Sequence, residues 1–162
     1  MIDGSTQALP YIVFKLNDNA FALNIQYVTE ITQVVQVNVL PEMPAHLLGL
    51  FRFRDRVVPL IDLKTRLGLP REAKTGNKDE ERIIIVNDSG KWLGLKVDAI
   101  QEIAQIQKSQ YLELEDRSVD SHEAVDGVYV FGDDQVTVLK FDTVMDPSHL
   151  IDLTNWKEKI GI

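Results

Sequence analysis

The sequence predicts an all-β fold made of two related halves, and three observations carry that prediction. Its apolar residues fall mostly in short, β-rich runs of strand length, not in long helical stripes. Asn, Asp and Gly residues punctuate those runs in pairs, as hairpin turns do. The order of the runs then repeats in the second half of the chain.

Tyr11 to Leu16 (YIVFKL) is the first run. Asn17-Asp18-Asn19 follows, then Ala20 to Ile25 (AFALNI), which makes a hairpin. Leu48 to Phe53 and Arg56 to Leu63 (RVVPLIDL) make a second hairpin with Arg54-Asp55 near its turn. Pro59 cannot donate to a ladder, so it predicts an edge strand or a bulge for the second run. Leu63 to Leu69 has room for one helical turn, stopped by Gly68 and Pro70. Arg71 to Glu81 (REAKTGNKDEE) is polar and charged and predicts an exposed loop between the halves.

The second half follows the first in outline. Ile83 to Val86, the turn Asn87-Asp88-Ser89-Gly90 and Trp92 to Val97 again read as strand, turn and strand. Laid on Tyr11 to Ile31 without gaps, Ile83 to Ile103 puts Leu23 on Leu95, Ile25 on Val97 and Val28 on Ile100. Glu30 then falls on Glu102 and Ile31 on Ile103, so both halves carry hydrophobic-x-Glu-Ile after a hairpin. Gly127 to Phe131 and Val136 to Phe141, around Gly132-Asp133-Asp134, echo the second hairpin. Two small related β-barrels are the simplest architecture, since closure removes exposed sheet edges. Asp116 to Asp126 reads as a second polar loop. Asp146-Pro147 reads as a helix start, and Leu150, Leu153, Trp156 and Ile160 have helical spacing, which predicts a C-terminal helix over about 147–160.

Composition narrows the function classes. The chain has 162 residues, enough for one domain with a buried core, and no cysteine. Thiolate metal sites, disulfides and a cysteine nucleophile are excluded, and a reducing compartment is the natural setting. His46, His122 and His149 lack the close spacing of a zinc helix motif. A net charge of -8 argues against nucleic acid and against anionic lipid. No apolar run reaches membrane-span length, and Met1 to Leu9 lacks a signal-peptide core, so a cytoplasmic protein with no direct membrane insertion is expected. No nucleophile-base pair, phosphate-cradling loop or dinucleotide fingerprint appears. Asp62, Asp98 and Asp142 each follow an apolar strand; capping a turn or helix start explains them better than a metal or acid-base site. No cofactor and no catalytic residue are expected.

Val28-Thr29-Glu30-Ile31, Phe53-Arg54-Asp55, Val57 to Leu63 and Gly94-Leu95-Lys96-Val97-Asp98 form an ordered set of short motifs, and that set resembles the CheW-like family of chemosensory coupling proteins. Val28-Thr29-Glu30-Ile31 resembles the family's V-x-E-I/V element. Pro41 to Gly49, then Phe53-Arg54-Asp55 and Val57 to Leu63, resemble its P…G-V-x-N-L-R-G-x-V-V-P-V-I-D-L signature. Gly94-Leu95-Lys96-Val97-Asp98 resembles G-L-x-V-D, and Gly127, Val138-Leu139 and Phe141-Asp142 match the closing strand. The resemblance implies a single domain over residues 1–162, with two SH3-like five-stranded β-barrels and short helices. It also implies an adapter that couples the cytoplasmic tip of chemoreceptors to the regulatory domain of the histidine kinase CheA.

The same resemblance implies the sites. Val28, Glu30, Gly49, Arg54, Asp55, Ile100 and Ile103 are the expected receptor-facing residues. Val39, Leu40, Pro41 and Met43 are the expected kinase-facing residues. Glu30 and Arg54 are expected to pair, since a guanidinium can hold a carboxylate and still present donors outward. Arg52, Arg54 and Arg56 alternate; in one continuous strand they form a positive stripe for an acidic partner, and a turn among them breaks it. Asp55 stands where the family usually has Gly, and Asp tolerates the left-handed region better than most residues. Arg52 and Phe53 replace the usual Asn and Leu, which leaves the partner's identity open. An adapter of a pilus or other chemosensory pathway is one alternative. A small-ligand-binding β-barrel sensor is another, and it requires a deep closed pocket with convergent polar groups. A hydrolase is the third.

Overall fold

The structure is a computed structural model. It describes residues 8–70, 78–107, 111–112, 124–131 and 134–145. The expected C-terminal helix, and most of the loops at 71–81 and 116–126, lie outside the described residues.

The first hairpin forms as its turn residues dictate. β1 (Ala8–Leu16) and β2 (Asn19–Asn24) are joined at Asn17-Asp18, and Asn17 takes a φ of 56°. A short 3-10 turn, Ile25–Tyr27, capped by the Asn24 side chain, leads into β3 (Val28–Gln33). β4 (Leu47–Phe53) and β5 (Arg56–Asp62) make the second hairpin, and α1 (Leu63–Arg66) follows as the single expected turn. β6 (Arg82–Asp88), β7 (Lys91–Val97) and β8 (Ala99–Gln107) repeat the sequence of hairpin and following strand. β9 (Tyr111–Leu112), β10 (Val125–Phe131), β11 (Asp134–Leu139) and α2 (Phe141–Val144) complete the described chain.

The strands form one six-stranded sheet, in the order β8-β1-β2-β11-β10-β9, and one five-stranded sheet, β3-β6-β7-β5-β4. The repeat seen in the sequence is therefore real, but the halves exchange a strand. β3 follows the first hairpin yet pairs with β6, and β8 follows the third hairpin yet pairs with β1. The registers correspond: Ile31 lies opposite Ile84 and Ile103 opposite Ile12, with a bulge at the matching place in each ladder. The parallel pairs correspond too, β5 on β7 and β11 on β2.

Among the described residues neither ladder runs as an unbroken ring. In the five-stranded sheet one isolated bridge, Asn38 to Leu50, joins the segment after β3 to β4, with hydrogen bonds of 2.8 and 2.9 Å. In the six-stranded sheet the two residues of β9, soon after β8, pair with β10. Of the two outcomes expected for Pro59, a bulge lies beside it, where the β4–β5 ladder shifts register between Leu47 and Gly49, and the edge is excluded, because β5 is an internal strand. Its pairing with β7 begins at Leu60, one residue after the proline, so the missing N–H falls outside that ladder.

Three apolar clusters explain why β1 and β6 are apolar without alternation. Ile12 and Phe14 of β1 and Ile84 and Val86 of β6 enter one central cluster between the sheets. Tyr11 and Val13 enter a second cluster inside the six-stranded sheet, and Ile83 and Ile85 a third inside the other. Both faces of these strands are buried, so polar residues have no place on either.

Candidate functional site

The β4–β5 hairpin projects three arginines, but they do not form a stripe. The turn at Arg54-Asp55 interrupts the strand, and Phe53 pairs with Arg56 while Arg52 pairs with Val57. Residues opposite one another share a face, so Arg52 and Arg56 lie on opposite faces of the hairpin. Arg56 stacks its guanidinium over Trp92 at 4.0 Å, beside the Phe53–Trp92 ring contact at 5.9 Å. Arg54 reaches across the sheet's open end to β3. Its Nη2 lies 3.3 Å from Glu30 Oε1, and its guanidinium carbon sits 4.8 Å over the Phe53 ring. Pairing of Glu30 with Arg54 is therefore present, through one nitrogen. Both side chains stay largely in solvent, 65% exposed for Arg54 and 42% for Glu30.

The backbone holds a correction at this turn. The positive φ falls on Arg54, at 55°, and not on Asp55. Other described hairpin turns place Asn17, or Ser89 with Gly90, in that region, where small polar residues and glycine are at ease. A long side chain there is uncommon. The Arg52 Nε–H donates to the Arg54 carbonyl at 3.1 Å and ties down the peptide that follows.

The apolar residues divide by position. Val28 and Ile100, which open β3 and β8, are half-buried and pack against the central cluster. Ile103 lies opposite Ile12 yet is 60% exposed, and Ile31 opposite Ile84 is 37% exposed. Both edge strands thus carry an apolar side chain out of the core's margin into solvent. Core packing accounts for Val28 and Ile100, and it does not account for Ile103.

After β3 the chain crosses to β4 through a second apolar surface. Val39 is 73% exposed, Pro41 is exposed, and Leu40 is half-buried with its N–H directed at the Met43 sulfur at 3.4 Å. Met43 tucks against the central cluster. Val34 and Val35 are exposed in the same segment, and sequence reasoning passed over them. Their signal was the alternation in Val34 to Leu40, an apolar stretch with no hairpin partner. Gly49 lies beneath this crossing. A Cβ there would stand 2.6 Å from the Asn38 carbonyl oxygen and 3.0 Å from Val37. With no Cβ, it leaves room for that crossing.

The three aspartates do different things. Asp62 caps α1, accepting from the Lys64 N–H at 3.2 Å and the Thr65 hydroxyl at 3.0 Å. Asp98 accepts from the Asn17 N–H at 2.6 Å and pairs with Lys64 Nζ at 2.9 Å, tying the first turn to α1. Asp142 makes no capping bond among the described residues; it sits inside the first turn of α2, and the capping position belongs to Lys140. Sequence reasoning missed the Lys64–Asp98 pair. A cleft of ≈ 360 Å³ opens among Tyr11, Asn24, Tyr27, Asp126 and Lys140. Tyr27 stacks flat on Phe141 there, at 3.8 Å. Burial first, and the Asp126 carboxylate next, push the Tyr11 phenol above its ordinary value. Gln26, Asp126, Lys140 and Asp142 at its rim are exposed, unlike the closed pocket a ligand sensor requires.

Comparison with known proteins agrees with this geometry. The family model described as CheW-like domain matches residues 10–153, which includes strands of both sheets. The chemotaxis protein CheW of Helicobacter pylori is 27% identical over 143 residues, 88% of this chain and 85% of that protein. The probable chemotaxis protein CheW of Rhizobium etli is 35% identical over 95 residues, 59% of each chain. Among solved structures, the scaffolding protein TtCheW from Thermoanaerobacter tengcongensis superposes with a TM-score of 0.77 at 27% identity, covering 90% of this chain and 98% of its own. With a match that runs through both sheets and both candidate surfaces, this chain belongs to the CheW-like domain family.

Proposed function

We propose that this protein is a non-catalytic cytoplasmic adapter that couples chemoreceptors to the histidine kinase CheA. The observation that carries the reading is the CheW-like match over residues 10–153, which takes in both exposed surfaces. The relatives it resembles are named as chemotaxis proteins, and the similar structure as a scaffolding protein. Among the described residues no helix is long and apolar enough to cross a membrane, which suits an adapter that meets receptors at their cytoplasmic tips.

Each sheet acts as one small SH3-like barrel within a single domain. The Asn38–Leu50 bridge and the β9–β10 pairing support that closure, as do separate apolar clusters inside the two sheets. The receptor tip rests against Ile103 and the half-buried Val28 and Ile100, with Glu30, Arg54 and Asp55 at the rim; Gly49 belongs to the same receptor-facing set and also leaves room for the neighbouring crossing. The kinase regulatory domain meets Val39, Leu40, Pro41 and Met43. Because the halves exchange β3 and β8 across one central cluster, both contacts share a stiff body. A displacement of the receptor is then transmitted to the kinase without a cofactor or a chemical step.

The test is binding of the purified protein to CheA regulatory domains and to receptor-tip fragments from its own cell. Binding to at least one of each is expected, and the pair that binds names the pathway, flagellar or pilus. Arg54→Ala is expected to weaken receptor binding while changing stability by less than about 1 kcal/mol, since exposed ion pairs contribute little. Normal receptor binding with a large stability loss would make Arg54 structural.

A further inference from the structure

We infer that Arg52 is a positioning residue for Arg54: it holds the strained turn that aims the Arg54 guanidinium outward, and its own charge is not the recognition element. The inference deepens the proposed receptor-facing role of the β4–β5 hairpin and rests on that reading. Three observations converge on it. Arg54 has a φ of 55°, a region where L side chains are strained; the other described hairpin turns use Asn, Ser or Gly there, and outside the hairpins Glu42 shares it at 58°. The Arg52 Nε–H, two residues earlier, donates to the Arg54 carbonyl at 3.1 Å, so the peptide plane after the strained residue is fixed from outside the turn. The Arg54 side chain is fixed separately, by Glu30 Oε1 at 3.3 Å and the Phe53 ring at 4.8 Å.

These constraints have a physical purpose. An exposed arginine on a free hairpin tip samples many rotamers, and binding must then order it. Here Arg52 restrains the backbone, and Glu30 and Phe53 narrow the positions of a guanidinium that stays largely in solvent, before any partner arrives. A guanidinium has five N–H donors, and one contact with Glu30 leaves others free for a carboxylate of the receptor tip. The strain at Arg54 is retained because the geometry places its side chain within reach of β3.

Side-chain chemistry gives a sharp test. Glutamine carries its amide nitrogen at the same distance along the chain as the arginine Nε, but has no charge. Lysine keeps the charge and has a methylene at that place. Receptor-tip affinity is measured for wild type, Arg52→Ala, Arg52→Gln and Arg52→Lys, each also in an Arg54→Ala background. Arg52→Ala is expected to weaken binding about fivefold, the worth of one ordinary hydrogen bond. Arg52→Gln is expected to restore most of the loss and Arg52→Lys little. In the Arg54→Ala background none of the three is expected to matter. Rescue by Lys and not Gln, or additive losses, would overturn the inference and make Arg52 a direct charge contact. A partner-free measurement separates this from the adapter reading. NMR relaxation of the Arg54 Nε–H and of the Asp55 amide is expected to show increased motion in Arg52→Ala and not in Arg52→Gln. Unchanged order in Arg52→Ala would overturn the inference whatever the protein binds, whereas a wild-type chain that binds no receptor tip overturns only the adapter reading.

Discussion

Gly49→Ala probes the link between fold and candidate kinase surface. The glycine has a φ of 153°, strained for any L side chain, and an added Cβ would stand 2.6 Å from the Asn38 carbonyl oxygen. That oxygen accepts from the Leu50 N–H at 2.9 Å, and the Asn38 N–H donates to Leu50 O at 2.8 Å. To admit the methyl, the crossing segment must lift and loosen both bonds. The backbone strain is worth about 1–3 kcal/mol, and each hydrogen bond about 1 kcal/mol. A loss of roughly 3–5 kcal/mol is therefore expected, about 6–20 °C in melting temperature for a domain of this size. Urea and thermal unfolding measure it. Gly90→Ala is the control: its φ is 86°, with no atom within 4 Å of the added Cβ. It should cost about 1–2 kcal/mol, the backbone strain alone. A Gly49→Ala loss no larger than the Gly90→Ala loss would refute the close approach. If the crossing lifts, Val39 and Leu40 move with it, and kinase binding should fall in the same variant.

Two further predictions concern groups away from the hairpin. Asp98→Ala removes the acceptor of the Asn17 N–H and leaves the Lys64 ammonium, only 14% exposed, without its carboxylate. A loss of about 3–5 kcal/mol is expected in denaturant unfolding, and pairing it with Lys64→Met should recover part of that loss; strictly additive losses would contradict the coupling. Tyr11 ionises less readily in the folded chain than its ordinary value of 10.0, through burial and then Asp126. The unfolded chain therefore releases that proton first, so stability is full below pH 10 and is lost as pH climbs through the raised folded value. Tyr11→Phe should flatten this alkaline loss in pH-dependent unfolding, and a curve parallel to wild type above pH 10 would contradict it.

Local chemistry made the hairpins legible. Asn17-Asp18, Arg54-Asp55 and Ser89-Gly90 sit at the turns, and the strands fall where the β-rich runs lie. The echo of Val28–Ile31 in Ile100–Ile103 was legible too, and the matching registers vindicate it. The strand exchange was not. Which sheet takes β3 is decided by its pairing with β6, Ile31 opposite Ile84, across more than fifty residues, and no local preference encodes that. The edge strand that Pro59 suggested is absent for the same reason: the cost of the proline depends on where the neighbouring ladder begins. At the site, the Glu30–Arg54 pair was legible only through the family motif. Its exposure to solvent, the positive φ on Arg54 in place of Asp55, and the Arg52 hydrogen bond depend on the course of the turn.

The adapter account requires two partners on one body at the same time. The most direct measurement is sedimentation or mass photometry of the purified protein mixed with a CheA regulatory domain and a receptor-tip fragment from its own cell. A ternary complex is predicted, with Arg54→Ala losing the receptor fragment and keeping the kinase. Mutual exclusion of the two partners, or no binding to any kinase regulatory domain of that cell, would contradict it.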